Sequence, residues 1–274
     1  FREKNAYEMD WMNPSTFNHQ IQLLKFSLDQ SASDLTDKIK VREYVSERVG
    51  DKHLIPIIGI YDSIEEIDFE PDNANIVIKT NHGSGLNYSE IFPSSKSKQE
   101  IFEKFNKAIA TKYDGINWGE FQYDQIQPKL IVEQKIGETD CPPNDYKFHM
   151  FESKTSDKWF LQVNSDRHNE PKLNIYDEQF DMIDVQKSGL PNGDLELPPM
   201  AQLQSMLDIA KKLSEGHRYV RVDLYLVGEK IFFGELTFTP ACGFTEFSDL
   251  EISKRFGSYF EGVTSWQVVG SQKF

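Results

Sequence analysis

The chain of 274 residues contains little cysteine and no long apolar run. Its two cysteines, Cys141 and Cys242, are far apart and show neither a CxxC nor a Cys/His metal-ligand spacing, which fits a reducing compartment. No segment approaches the roughly 18 apolar residues of a transmembrane helix, and the first residues do not resemble a signal peptide. We therefore expect a cytoplasmic protein.

Basic residues are also in short supply. Against 44 acidic residues there are 30 lysines and arginines, a net charge of −14. The average field would repel a nucleic-acid strand, so we expect no nucleic-acid partner. A nucleotide or an anionic sugar can still bind where a local cluster of Lys and Arg, or a bound cation, reverses the field inside one cleft.

The length suggests about two lobes, at roughly 150 residues per domain. Hydrophobic periodicity indicates an α+β protein with an N-terminal helical segment (1–70), a small α+β lobe (71–135) and a larger C-terminal lobe (136–274). The predicted helices cover 14–50, 97–110 and 200–216. The predicted strands cover 54–61, 75–80, 129–135, 146–151, 158–164, 219–226 and 230–238.

Two of the last strands carry charges that interrupt apolar sequence. Asp223 lies in Val220–Tyr225, and Glu235 lies in Gly234–Pro240. Because burying an unpaired carboxylate costs several kcal/mol, each needs a cation or an arginine partner. Two carboxylates on adjacent antiparallel strands form a hard oxygen site suited to Mg²⁺. The alternative is a structural ion pair between Arg221 and Asp223, and both interpretations stay open.

A second segment, Ile76 to Gly85, combines a β-branched strand ending at Lys79 with a glycine-containing loop. Such a loop can offer backbone N–H groups to phosphates, although it lacks the order of a Walker A motif and a simple β-turn is the alternative. A third segment, Leu130 to Ile136, is a strand that becomes polar at its end, where Glu133 could meet an adenine edge. An ordinary half-buried strand would look the same.

The order of these segments is typical of the ATP-grasp superfamily, and the chain resembles the TupA-like ATP-grasp family. That family is associated with teichuronopeptide and other bacterial surface-polysaccharide biosynthesis. The resemblance covers Asn13 to about Gly257. It rests on the segments Asn13–Asn18, Asp37-Lys38, Ile78–Gly85, Asp145–Phe148, Ser165-Asp166-Arg167 and Val220–Pro240.

The resemblance implies an ATP-grasp fold with two lobes enclosing ATP and two Mg²⁺ ions. The implied cofactor contacts are Lys79 and Lys38 near the phosphates, His82, Gly83, Ser84 and Gly85 as a lid, Glu133, Gln134, Lys135 and Ile136 at adenine, and Asp145 at ribose. Asp223 and Glu235 would hold the metal. Thr237 stands where superfamily members often have Asn, so it is the expected third ligand.

The implied reaction is that of a carboxylate–amine ligase. The substrate carboxylate attacks the γ-phosphate, and an amine then attacks the acyl phosphate. Arg221, Lys147 and Arg167 are the expected catalytic residues, with Arg167, Asn174 and Thr239 contacting substrate. A uronic acid in a surface glycan and an amino acid are the expected partners, with a solvated loop as the alternative role for residues around Arg167. A sugar or small-molecule kinase and a nucleotide-binding scaffold are the competing functions.

Overall fold

A computed structural model describes residues 7–72, 74–83, 88–111, 113, 115–137, 143–153, 157–165 and 170–261. The chain is an α+β protein, as predicted, with two antiparallel sheets. Its contacts group residues 29–142 into one unit, here called the central unit, and residues 1–28 with 143–274 into another, the terminal unit. Residues 1–70 are thus shared between the two units, and the domain boundaries at 70 and 135 stay a prediction.

The central unit contains a four-stranded sheet in the order β1-β4-β2-β3, in which every pairing is antiparallel. Its strands are β1 (Ile57–Tyr61), β2 (Ile76–Thr80), β3 (Ser89–Ile91) and β4 (Leu130–Gln134). Its helices are α2 (Gln30–Thr36), α3 (Val41–Val49), α4 (Lys98–Ala110) and α5 (Gly115–Trp118).

Helix α4 supplies much of the apolar surface of this unit. It begins with a capping box, in which Ser97 and Glu100 satisfy each other's backbone N–H groups. Its buried residues Ile101 and Phe105 pack with strand residues of β2 and β4. The core consists of Ile64, Ile67, Phe69, Ile78, Phe92, Ile101, Phe105, Leu130 and Val132.

The terminal unit contains a six-stranded antiparallel sheet in the order β10-β9-β5-β6-β7-β8. Its strands are β5 (Asp145–Phe151), β6 (Lys158–Ser165), β7 (Lys172–Tyr176), β8 (Met182–Ile183), β9 (Tyr219–Val227) and β10 (Lys230–Thr237). Its helices are α1 (Phe17–Leu24), α6 (Met200–Ser214) and α7 (Leu250–Gly257).

Helices cover both faces of this sheet. Helix α6 packs on β9 and β5 through an apolar stripe that includes Leu203, Met206 and Leu207. On the opposite face, α1 and α7 pack on a core in which Phe17 meets Phe160 and Tyr219. That second face also carries, further along the same strands, the charged residues described below.

Helix α1 also holds the loop that follows β10. Asn18 binds Thr245 twice, donating to its carbonyl at 2.7 Å and accepting from its N–H at 2.9 Å. Gln22 and Lys25 both donate to the carbonyl of Cys242, at 3.0 and 2.8 Å. This loop has three successive residues with positive φ, namely Ala241, Cys242 and Gly243. Since such backbone is unfavourable for residues with a Cβ, the helix contacts stabilise a strained segment.

Within the described residues, none of the helices combines the length and the apolar character that crossing a bilayer requires.

Candidate active site

Acidic and basic side chains meet on one face of the terminal sheet because of its strand register. Lys147 of β5 lies opposite Asp223 of β9, and Asp223 lies opposite Glu235 of β10. A bulge between Phe233 and Glu235 sets this last pairing. At the bulge stands Gly234, where a Cβ would come within 3.1 Å of the Asp223 carbonyl oxygen. The bulge and its glycine therefore place the Glu235 side chain on the face that carries Asp223.

Two cations hold the acidic groups together. The Arg221 guanidinium donates from Nε to Asp223 Oδ1 at 2.6 Å and from Nη2 to Glu235 Oε1 at 3.0 Å. Lys147 contacts Asp223 and lies 2.6 Å from Asp145. The side chains of Asp145 and Asp223 are 1% and 2% exposed, whereas that of Glu235 is 29% exposed. The ion pair between Arg221 and Asp223 is thus present, and Glu235 is the acid of this network most open to solvent.

Burial sets the electrostatics of this network. It raises the pKa of Asp223 above its ordinary value, while Arg221 and Lys147 act to lower it. Burial alone would lower the pKa of Arg221, but the charges of Asp223 and Glu235 outweigh it and raise that pKa. His149, two residues further along β5, has its pKa lowered well below the ordinary value by burial and by the nearby cations Lys187 and Arg221. The network is a fixed arrangement of charges beside a neutral imidazole.

The oxygen ligands available in this network suit a magnesium ion in part. Asp223 and Glu235 supply carboxylate oxygens, and Mg²⁺ is commonly bound by one or two carboxylates plus waters and substrate phosphates. Among the described residues, no group of three or more His, Cys, Asp or Glu side chains is arranged to hold a metal. Any such ion would therefore depend on these two acids and on ligand oxygens.

The predicted third ligand, Thr237, lies opposite Arg221 on β10, with its hydroxyl 3.4 Å from Glu235 Oε1. Its position beside Glu235 is compatible with the predicted role, which stays a prediction. Thr239, a predicted substrate contact, is buried just before the strained loop, and its carbonyl accepts from the Cys242 N–H at 2.9 Å.

Asn174, another predicted substrate contact, lies on the other face of the sheet. It pairs with Val163 of β6, whereas Gln162 is the residue opposite Lys147. The Asn174 side chain donates to the Gly193 carbonyl and accepts from the Gly193 N–H, both at 2.8 Å. The amide thus anchors a loop on the face away from the charged network, and its contact with substrate stays a prediction.

In the central unit, the half-buried Lys79 and the buried Glu133 form a second ion pair. They lie on β2 and β4, with Lys79 Nζ 2.7 Å from Glu133 Oε2. Arg42 of α3 approaches the same carboxylate at 3.5 Å. The carboxylate that we placed at adenine therefore contacts the lysine that we placed at the phosphates, and either role remains a prediction.

The start of the glycine-containing loop is fixed by the residues around α3. Lys38 donates to the Gly83 carbonyl at 2.7 Å. His82 is buried beside the Tyr88 ring, and burial lowers its pKa. A Cβ on Gly83 would collide with the same ring at 2.3 Å, so this position requires glycine. Ser84, Gly85 and Arg167 lie outside the described residues.

The predicted adenine-binding segment continues from β4. The N–H groups of Gln134 and Lys135 donate to Pro56 and Asn75, at 3.0 and 3.3 Å. Lys135 Nζ donates to the Phe92 carbonyl at 3.0 Å, and Ile136 is half-buried. Two backbone donors of this segment are therefore used within the protein, and its role toward adenine stays a prediction.

Sequence reasoning missed Arg42, Gln162 and Lys187, each of which contacts or neighbours a predicted residue. Gln162 Oε1 accepts from the buried Lys187 at 2.5 Å. No local pattern marks these residues, because strand register and loop packing within each unit bring them to their neighbours.

Comparison with protein families now gives the class: this is an ATP-grasp protein. The chain belongs to the TupA-like ATPgrasp family, whose sequence model matches residues 18–261. The predicted family and fold are thereby confirmed. No curated protein matches the chain.

The chain is also similar to solved structures of low identity. D-Alanine-D-alanine ligase from Helicobacter pylori is 13% identical with a TM-score of 0.46, over 83% of this chain and 61% of that chain. D-Alanyl-alanine synthetase A from Vibrio cholerae is 10% identical with a TM-score of 0.47, over 86% and 65%. N5-carboxyaminoimidazole ribonucleotide synthetase from Thermus thermophilus is 12% identical with a TM-score of 0.39, over 74% and 45%. The chain thus spans less than two thirds of each of these proteins.

Proposed function

We propose that the protein is an ATP-dependent carboxylate–amine ligase that acts through an acyl phosphate. One observation carries the proposal within an ATP-grasp family: Arg221 bridges Asp223 and Glu235 on neighbouring strands, next to Lys147. A mutually fixed and largely buried set of charges is the arrangement that stabilises charge developing in a reaction without reorganisation.

Each residue has a defined part in this proposal. Asp223 and Glu235 would hold Mg²⁺, which supplies charge neutralisation at the phosphates. Arg221 is held by both acids, so its guanidinium is oriented for the transferring phosphoryl group or the oxyanion. Lys147 offsets the negative charge near the substrate that donates the carboxylate. The work of the protein is positioning and charge stabilisation.

For substrates, we propose a uronic acid as the carboxylate donor and an amino acid as the amine, within bacterial surface-polysaccharide biosynthesis. Support for this comes from the family alone. The screen that tests it measures ADP release for uronic acids and their glycosides against the twenty amino acids, with mass spectrometry of the products. A ligase releases ADP and phosphate only when both substrates are present, and hydroxylamine traps the acyl phosphate as a hydroxamate. A phosphorylated sugar would instead identify a kinase.

The site assignment is tested by Asp223→Asn and Glu235→Gln. Each should lower turnover at least ~100-fold, the scale of removing one preorganised electrostatic group. The matched control is Glu229→Gln, in the exposed turn between β9 and β10, which should leave turnover unchanged. Near-normal turnover in both test variants would refute the assignment.

A further inference from the structure

Among the described residues, Lys187 is a buried lysine without a carboxylate partner. Its residue exposure is 6%, and it lies between β8 and α6, held by backbone bridges to Leu190 and Phe247. Within the described part of the chain, the only hydrogen-bond partner of its ammonium is Gln162 Oε1, at 2.5 Å. An ammonium has three donors, so two remain. Lysine is almost never buried unless paired, because an unsatisfied buried charge is costly.

The acids nearby are already bound by other cations. Asp145 and Asp223 contact Lys147, while Asp223 and Glu235 contact Arg221. Burial, reinforced by the charges of Arg221 and Lys147, lowers the pKa of Lys187 to about 7, and Asp223 opposes this shift. The net electrostatic potential that these charged neighbours produce at Lys187 is therefore positive.

Gln162 fixes the ammonium beside the strand that carries Lys147. Its Oε1 accepts from Lys187, while its Nε2 donates to Asn164 Oδ1 at 2.6 Å. With both ends of the amide engaged, its orientation is set. Gln162 lies directly opposite Lys147 in the β5–β6 register. The result is two lysines on one face, next to an arginine whose side chain keeps 12% of its surface exposed.

We propose that Lys187 and Lys147 form an anion subsite within the terminal unit, and that this subsite takes the carboxylate of the acidic substrate. The inference rests on the proposed ligase function and gives its substrate an anchoring point. A carboxylate would use the two remaining donors of Lys187 in charge-assisted hydrogen bonds and would neutralise the surplus positive field. A triphosphate oxygen offers the same chemistry, so the test has separate arms for the two ligands.

A purely structural role makes a different prediction. The backbone bridges already attach the segment around Lys187 to its neighbours, and a methionine fills nearly the same volume without a charge. If Lys187 were only a support, Lys187→Met would leave ligand binding unchanged. As a ligand-binding group it should lose affinity in that variant while the fold becomes no less stable, because the buried charge is gone.

The experiment measures binding of sodium D-glucuronate and of Mg·ATP to the full chain by titration calorimetry. D-Glucose, which lacks the carboxylate, is the uncharged control ligand. Lys187→Met should weaken glucuronate binding by ~10-fold or more, the scale of losing a charged hydrogen bond, and should leave Mg·ATP binding within about twofold. Lys187→Arg, which keeps the charge, should retain most of the glucuronate affinity. The control Lys230→Met removes an exposed lysine of β10 and should change neither.

Three results would overturn the subsite: unchanged glucuronate affinity in folded Lys187→Met, a loss confined to Mg·ATP, or a wild-type protein that binds glucuronate no better than glucose. Failure of the ligase proposal looks different. A wild-type chain that binds glucuronate through Lys187 but neither binds Mg·ATP nor releases ADP would contradict the ligase and leave the subsite standing.

Discussion

Asp223 accepts from Arg221 and contacts Lys147 while its side chain is only 2% exposed. Asparagine at this position would leave both buried cations without the carboxylate that they share. We expect Asp223→Asn to lower the free energy of unfolding by about 3–5 kcal/mol. Glu235 is 29% exposed and contacts Arg221 at 3.0 Å, so Glu235→Gln should cost about 1 kcal/mol or less. Urea denaturation at pH 7 measures both. Equal losses in the two variants would contradict the burial argument.

Lys187 should make stability depend on pH. Its folded pKa of about 7 lies below the ordinary value of 10.5, so between these pH values the unfolded chain binds a proton that the folded chain does not. The contribution of Lys187 to stability therefore rises as pH increases from about 7 to 10.5. Lys187→Met removes this contribution. Its melting temperature should exceed that of the wild type most near the lower end of this pH range, and the difference should shrink toward the upper end. A difference that does not change with pH would show that folding does not lower the pKa of the Lys187 amine.

At the scale of elements, the regular strands and long helices were predictable from sequence. The predicted strands at 129–135, 219–226 and 230–238 correspond to β4, β9 and β10, and the predicted helix 97–110 to α4. Their alternating or 3.6-residue patterns are long enough to be distinct. Helix α7 went unpredicted because it is short, and the predicted helical region 14–50 is divided into α1, α2 and α3.

The candidate site was predictable as a set of residue types, but not as a set of contacts. That Asp223 and Glu235 needed partners followed from charge in apolar strands. The pairing of Lys79 with Glu133 did not follow, because the register between β2 and β4 is decided by packing over the whole sheet. For the same reason, nothing local in the sequence marked Lys187.

Helix α1 should determine the stability of the loop after β10. Asn18→Ala removes a donor and an acceptor from Thr245, which leaves a buried N–H and carbonyl unsatisfied. We expect a loss of about 2–6 kcal/mol in the free energy of unfolding, at about 1–3 kcal/mol for each of the two unsatisfied groups. Gln30→Ala, at the exposed first position of α2, is the control. A loss below about 1 kcal/mol would mean that the loop keeps its conformation without the helix.

At the scale of the whole molecule, the central unit is a continuous stretch of chain with its own sheet and core. We therefore expect residues 29–142 to fold when expressed alone. The measurement is an amide NMR spectrum, which should be dispersed, together with a cooperative thermal transition by circular dichroism. An amide spectrum with poor chemical-shift dispersion, together with no cooperative thermal transition, would show that this unit depends on the rest of the chain.

The terminal unit is discontinuous, since Phe17 and Ile21 of α1 pack against residues as distant as Phe256 and Phe260. During synthesis on the ribosome, α1 emerges well before the partners Phe256 and Phe260. At about 5–20 residues per second, roughly 10–50 s separate the two events. The first helix must spend that interval with its apolar side uncovered while the middle of the chain can already fold. Nascent chains of this protein should therefore be clients of a chaperone that shelters short apolar helices until residues 250–260 have been synthesised.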